Sequence, residues 1–259
     1  MAKVNGGVTA AKGFKAAGIR CGIKQKGLDL AAIYSESECA AAGVFTTNAF
    51  KAASVVVDME RLKLGRARAV VVNSGNANAC TGEQGLTDAL GICRFAARLL
   101  DVPEEQVLNA STGIIGVPLP MDRIEAGVTD AIAALSEDGG ESASLAIMTT
   151  DTRPKTSGYE LKIGGRAVRV GGMCKGSGMI CPNMATMLCF ITTDANIPSA
   201  LLSKCLSSNV ERSFNSLTVD GDMSTNDSVI VLANGQSGCD EMTDNSPAYD
   251  AFDHAHGHV

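Results

Sequence analysis

Histidine is nearly missing from this chain: all three histidines, His254, His256 and His258, lie in its last six residues. That argues against a conventional Ser-His or Cys-His relay. Nine cysteines (Cys21, Cys39, Cys80, Cys93, Cys174, Cys181, Cys189, Cys205 and Cys239) are an odd number with no CxxC spacing, a poor basis for a disulfide framework or a zinc site. Reduced, mostly buried thiols are expected. A basic cluster is also absent, and the net charge is -6, so no Lys/Arg stripe is available for nucleic-acid phosphates. The first thirty residues hold no apolar run of signal-peptide or membrane length, so neither export nor membrane insertion is indicated and a cytoplasmic location is expected. Gly171, Gly172 and Gly176 form neither GxxxxGK[ST] nor a strand-led GxGxxG, so no nucleotide cofactor is implied.

What is present is 259 residues with 45% apolar content, enough to bury a sizeable core in one large domain or two small ones. There is no internal repeat and no low-complexity linker. Val55–Val57 and Ala69–Val72 read as short buried strands. Apolar positions recur at helical spacing from Leu86 to Leu100 and from Ile124 to Leu135, which predicts two amphipathic helices. Ser136–Ser144 is polar and contains Gly139-Gly140, so a helix end and a loop are expected there. Gly164-Gly165 separates two apolar runs at hairpin spacing. Met187–Ile191 and Ser228–Ala233 predict strands, and Pro198 opens a helix with Leu201, Leu202, Cys205, Leu206 and Val210 on one side. Elements mixed in this way predict an α/β or α+β fold rather than a strict βαβ repeat.

The most informative stretch runs from Lys175 to Asp194. It places Thr186 at the junction between a glycine-rich loop and the predicted strand. With no histidine at hand, a threonine can act as its own relay if the bond before it is cut, because the new α-amino group has a reference pKa near 8 and serves as base.

Six ordered blocks carry a family resemblance: Gly43–Asn48, Val72–Ala79, Ser111–Gly116, Met148–Lys155, Lys175–Asp194, and Thr218–Asp222 followed by Ser224–Asp227. In these the chain resembles the glutamate N-acetyltransferase / ornithine acetyltransferase family of arginine biosynthesis. The resemblance implies a layered N-terminal-nucleophile fold in which helices cover packed sheets, with the nucleophile in a cleft between lobes. It implies self-cleavage between Ala185 and Thr186, giving a 1–185 α-chain-like segment and a 186–259 β-chain-like segment that pair and assemble as a dimer of heterodimers. Thr186 would carry acetyl from N-acetylornithine to glutamate, with acetyl-CoA a second donor in the bifunctional type.

The resemblance further implies Thr112 and Gly113 as the oxyanion pair, and Thr149 and Lys175 as substrate contacts together with Thr186. No cofactor and no metal are implied. An N-terminal-nucleophile aminopeptidase or amidase of the same fold, and an inactive remnant, are the competing readings.

Other groups stay open or bland at this level. Asn73, Asn76 and Asn78 suit a polar pocket or a set of turns equally. Asp220, Asp222 and Asp227 read as solvated or turn-capping carboxylates, and His254–His258 as a disordered tail. Family members continue well past this point, through a segment with a substrate-binding glutamate. The resemblance holds through Phe252 and then decays, so a shortened chain with exposed apolar surface and a marginal or oligomer-dependent fold is expected.

Overall fold

A computed structural model of the chain describes residues 1–179, 187–216 and 220–259. The run Ala69–Val72 lies inside β4 (Arg66–Asn76), as its composition predicts. Side chains alternate across a strand, so Ala69 and Val71 enter one core cluster while Val70 and Val72 enter another.

Its antiparallel neighbour β3 (Leu30–Phe45) is long enough to serve two parts of one sheet. Leu30–Ser35 pairs with β2 (Phe14–Ile19), and farther along the same edge Ala40–Phe45 pairs with β9 (Ser228–Ala233). The register against β4 shifts between Tyr34 and Cys39. β5 (Val107–Ile114) runs parallel beside β4. On the far side of β9 stand β8 (Leu188–Thr193), then β7 (Arg166–Lys175), β6 (Lys155–Ile163) and the short β1 (Ala2–Lys3). The β6–β7 turn is the expected Gly164-Gly165, with φ of 56° and 79°, the paired positive angles that suit a two-residue hairpin. Strands from before and after residue 186 therefore share one sheet, with β8 and β9 between β7 and β3.

Helices α1 (Ala53–Arg61), α2 (Gly82–Leu100) and α3 (Met121–Ala133) cover the half built on β3, β4 and β5. The half built on β7, β8 and β9 is covered by α5 (Ser199–Arg212) and α6 (Pro247–His256). The remaining faces enclose a common core in which Val70, Val72 and Leu108 of one half belong to the same cluster as Met173, Phe190 and Ile230 of the other. The outcome is the expected mixed α/β fold, with helices covering one large sheet whose two halves share a core. Described cysteines are free thiols, mostly buried, with Cys80 exposed.

Three expectations fail. Val55–Val57 is not a strand but the middle of α1. Its β-branched residues are overridden by anchors on one helical face: Asp58 accepts the Asn109 N–H at 3.0 Å, and Arg61 reaches Glu104 and the Val107 carbonyl. Within Ser136–Ser144, residues from Gly140 onward begin α4 (Gly140–Ala146). Its glycines permit close packing, since a methyl group on Gly139 would stand 1.7 Å from the Ala16 carbonyl oxygen. Finally, His254 and His256 belong to α6, capped by Ser246, and His256 is buried rather than part of a loose tail.

Candidate active site

β5 and β7, one from each half of the sheet, bring their ends together. Thr112 lies near the end of β5 and Lys175 is the last residue of β7; both are buried, and Lys175 Nζ donates to Thr112 Oγ1 at 3.0 Å. An ammonium only donates, so the threonine oxygen is the acceptor and its own hydrogen stays available for a substrate oxygen. A solvated loop lysine is thereby excluded at this position. Burial pushes the Lys175 pKa down, helped by Lys155 and Lys24 and opposed by Asp151 and Asp227.

Gly113 follows with φ 139°. It lies beside Gly75, its partner across the parallel ladder. Asn226 braces this wall, donating to the carbonyls of Ser111 at 2.7 Å and Ala77 at 2.6 Å.

Thr112, Gly113, Thr149 and Lys175 line one cleft of about 760 Å³, together with Lys24 and Asn226. A smaller groove of about 390 Å³ between α1 and α5 contains none of them. Thr149 is placed by Asp151, whose carboxylate accepts the N–H of Thr149 at 3.3 Å and of Gly176 at 2.8 Å. That same carboxylate is paired with Lys155. One carboxylate therefore ties the threonine turn to the residue after Lys175.

Ala185 and Thr186 lie outside the described residues. Met187, the next residue after Thr186, is described: its N–H is accepted by Asp227 Oδ1 at 3.0 Å.

None of Asn73, Asn76 and Asn78 lines this cleft; Asn73 and Asn76 lie in β4, where Asn73 donates to the Asn76 carbonyl and accepts the Ser111 hydroxyl. Asn76 accepts the Asn78 N–H at 2.8 Å and donates to the carbonyls of Val117 and Pro118, while Asn78 donates to the Gly85 carbonyl. Asp220 caps the Asp222 N–H, as a turn carboxylate does. Asp227 departs from that expectation, being buried. Sequence reasoning also missed Lys24, Asp151 and Asn226 as wall-building residues, since none stands in a spacing that carries chemistry by itself. Among the described residues no three His, Cys, Asp or Glu side chains are grouped to hold a metal ion. No helix of the described residues is long and apolar enough to cross a membrane.

The profile of the ArgJ family matches residues 15–259. The chain belongs to the ArgJ family.

Within that family, the arginine biosynthesis bifunctional protein ArgJ of Symbiobacterium thermophilum is 56% identical over 95% of this chain and 62% of its own length. Among solved structures, ArgJ of Bacillus halodurans is 42% identical, with a TM-score of 0.67 over 72% of this chain and 97% of that one. Ornithine acetyltransferase of Mycobacterium tuberculosis, solved with ornithine, is 36% identical, with a TM-score of 0.63 over 72% of this chain and 99% of that one. An L-aminopeptidase D-Ala-esterase/amidase of Ochrobactrum anthropi, described as a variant of the Ntn hydrolase fold, reaches a TM-score of 0.55 over 99% of this chain and 85% of that one. Its 14% identity limits that likeness to fold.

The chain spans about three-fifths of the length of the curated ArgJ relatives. The ArgJ match also runs to residue 259, which corrects the expectation that resemblance ends near Phe252.

Proposed function

We propose that this chain is an ornithine acetyltransferase of arginine biosynthesis that matures by cutting itself before Thr186. The observation that carries the reading is the 3.0 Å contact of Lys175 with Thr112 beside Gly113, in the cleft that also holds Thr149. It supplies a cation for a substrate carboxylate and a hydroxyl for an oxyanion in one place.

In maturation the Thr186 hydroxyl attacks the Ala185 carbonyl carbon, its proton passes to the departing amine, and an ester replaces the peptide bond. Water then hydrolyses the ester, leaving residues 1–185 with a carboxylate and Thr186 with a free α-amino group. That amine takes the hydroxyl proton as Thr186 attacks the acetyl carbonyl of N-acetylornithine. The tetrahedral oxyanion is met by the Thr112 hydroxyl and the Gly113 N–H, ornithine leaves as the protonated amine, and acetyl-Thr186 remains. The amine of glutamate attacks this ester, releasing N-acetylglutamate and restoring the hydroxyl. Donors aimed at the oxyanion are typically worth about 3 kcal/mol each.

The reaction so written uses the chain's own groups, needs no cofactor and runs by alternating substrates. Acetyl-CoA as donor would make the enzyme bifunctional. The two segments are proposed to stay paired, two pairs forming the assembly, in the cytoplasm.

Intact mass spectrometry of freshly purified protein tests the first step, with Thr186→Ala as control. Two fragments meeting at Ala185 and Thr186 in the wild type alone are expected, followed by glutamate-dependent consumption of N-acetylornithine. A single uncut chain in both proteins overturns the reading. Acetate release without glutamate replaces it with a hydrolase.

A further inference from the structure

Asp227 lies immediately before β9, and its carboxyl reaches back to the head of β8. Oδ1 accepts the Met187 N–H at 3.0 Å, and Ser228 N–H donates to the Met187 carbonyl at 3.1 Å. The residue held twice in this way is joined directly to Thr186. Asp227 is 1% exposed, yet its second oxygen, Oδ2, has no hydrogen-bond partner among the described residues.

A cap for one peptide N–H requires one oxygen. A second carboxyl oxygen buried without a donor costs free energy and calls for a reason. The groups facing it are few. Lys175 is the charged one, from β7; the Ser224 hydroxyl lies near enough to lower the carboxyl pKa; Met187 offers its amide. The Thr46 N–H donates to the Asp227 backbone carbonyl and its hydroxyl to the Ser224 carbonyl, so neither is given to the carboxyl. Burial outweighs these groups and holds the carboxyl up at about 7. Lys175 does not fill the empty position: its ammonium bonds Thr112, and Oδ2 has no hydrogen-bond partner among the described residues.

We propose that Asp227 is a positioning residue of the transfer reaction: Oδ1 fixes the peptide that follows the nucleophile, and Oδ2 accepts the α-ammonium group that cleavage creates at Thr186. This rests on the self-cleaving reading above. The uncut chain has no ammonium there. After the cut, the amine is the base that receives the hydroxyl proton, and a carboxylate beside it orients that base and stabilises its charged form. Nucleophile, base and orienting acid then form the arrangement that a triad supplies with three side chains.

Asp227→Asn separates the two oxygens, because an amide keeps the acceptor for Met187 and loses the charge. The variant is expected to melt near the wild type and to cut itself within about tenfold of the wild-type rate. Acetylation of its Thr186 by N-acetylornithine, followed by intact mass in a single turnover, is expected to slow by roughly 10²- to 10⁴-fold, the upper end being the loss a Ser-His-Asp triad suffers without its orienting carboxylate. Its pH profile is expected to lose the wild-type limb in which transfer falls as the carboxyl is protonated. Acetylation at the wild-type rate overturns the proposal, as does an unchanged pH profile. So does a folded Asp227→Asn protein that stays uncut, which would move Asp227 to the cleavage step.

Should Asp227→Asn not fold, infrared titration of cut wild type against uncut Thr186→Ala decides. One buried carboxyl is expected to titrate lower in the cut protein, and identical titrations overturn the proposal. A wild type that is neither cut nor acetylated removes the functional reading first and this inference with it. A wild type that does both, beside an Asp227→Asn protein that matches it, removes this inference alone.

Discussion

Gly113 shows how much a single missing methyl group decides. Its φ of 139° belongs to a backbone region that residues with a Cβ rarely adopt. A methyl group there would also stand 2.3 Å from the Gly75 carbonyl carbon. Alanine is therefore opposed by both conformation and space, and Gly113→Ala is expected to lose about 2–4 kcal/mol of stability. Gly116→Ala is the matched control, because its φ is 80° and nothing lies within 4 Å of an added methyl group. Only the conformational part, about 1 kcal/mol, is expected from the control. Thermal denaturation of the two variants checks this, and equal melting temperatures would remove the close approach from the explanation. At this scale the sequence was readable through motif blocks: Thr112, Gly113, Thr149 and Lys175 all reach the same cleft. What it did not reveal was their partners. Burial of Asp227 and Asp151 depends on strands far away in sequence, and an isolated aspartate carries no sign of which backbone amides it will meet.

Among elements, the loop from β2 to β3 is held by one carboxylate. Asp29, fully buried, accepts the N–H of Cys21 at 2.6 Å, Gly22 at 3.0 Å and Lys24 at 2.9 Å. This brings Lys24 to the rim of the cleft, where its Nζ donates to the Met148 carbonyl at 2.8 Å. Asp29→Ala orphans three donors at once, of which water can re-satisfy some, so a loss of about 2–4 kcal/mol is expected. Hydrogen exchange should accelerate at Cys21, Gly22 and Lys24 while the amides of α5 keep their protection. Unchanged exchange at those three amides would refute the role of Asp29 as the organiser of this loop. Elements with sustained periodicity, α2, α3 and α5, were legible in the sequence because each buries a continuous stripe. Val55–Val57 misled because three residues are too few to distinguish a buried strand from a buried helix turn. Gly139-Gly140 misled for a different reason: the pair marks where the start of α4 packs closely, Gly139 on Ala16 of β2 and Gly140 on Gly6, and a glycine read alone cannot distinguish a contact from a bend.

For the molecule as a whole, the layering was legible from mixed elements and family resemblance, but the order of the strands was not. Insertion of β8 and β9 between β7 and β3 joins the two halves through β3, whose bend no local pattern announces. The second half is closed by α6, and there His256 introduces a pH dependence. Its ring packs near Phe252, with centroids 5.9 Å apart, and neither ring nitrogen has a hydrogen-bond partner among the described residues. Burial pulls its pKa down to about 4, against the opposing charge of Asp253. The unfolded chain therefore binds this proton first. The contribution is intact above the unfolded value near 6.5 and is lost as pH falls toward 4. Buried Asp58, Asp194 and Asp227, held above their ordinary range, act with the opposite sign. The informative quantity is thus the difference between wild type and His256→Leu, in which those carboxyls cancel. Denaturant unfolding at pH 7.5 and pH 4.5 should show the wild type losing roughly 2–3 kcal/mol more than the variant over that interval. Parallel losses would mean that His256 titrates as a solvated histidine and that α6 does not seal the core as its burial indicates.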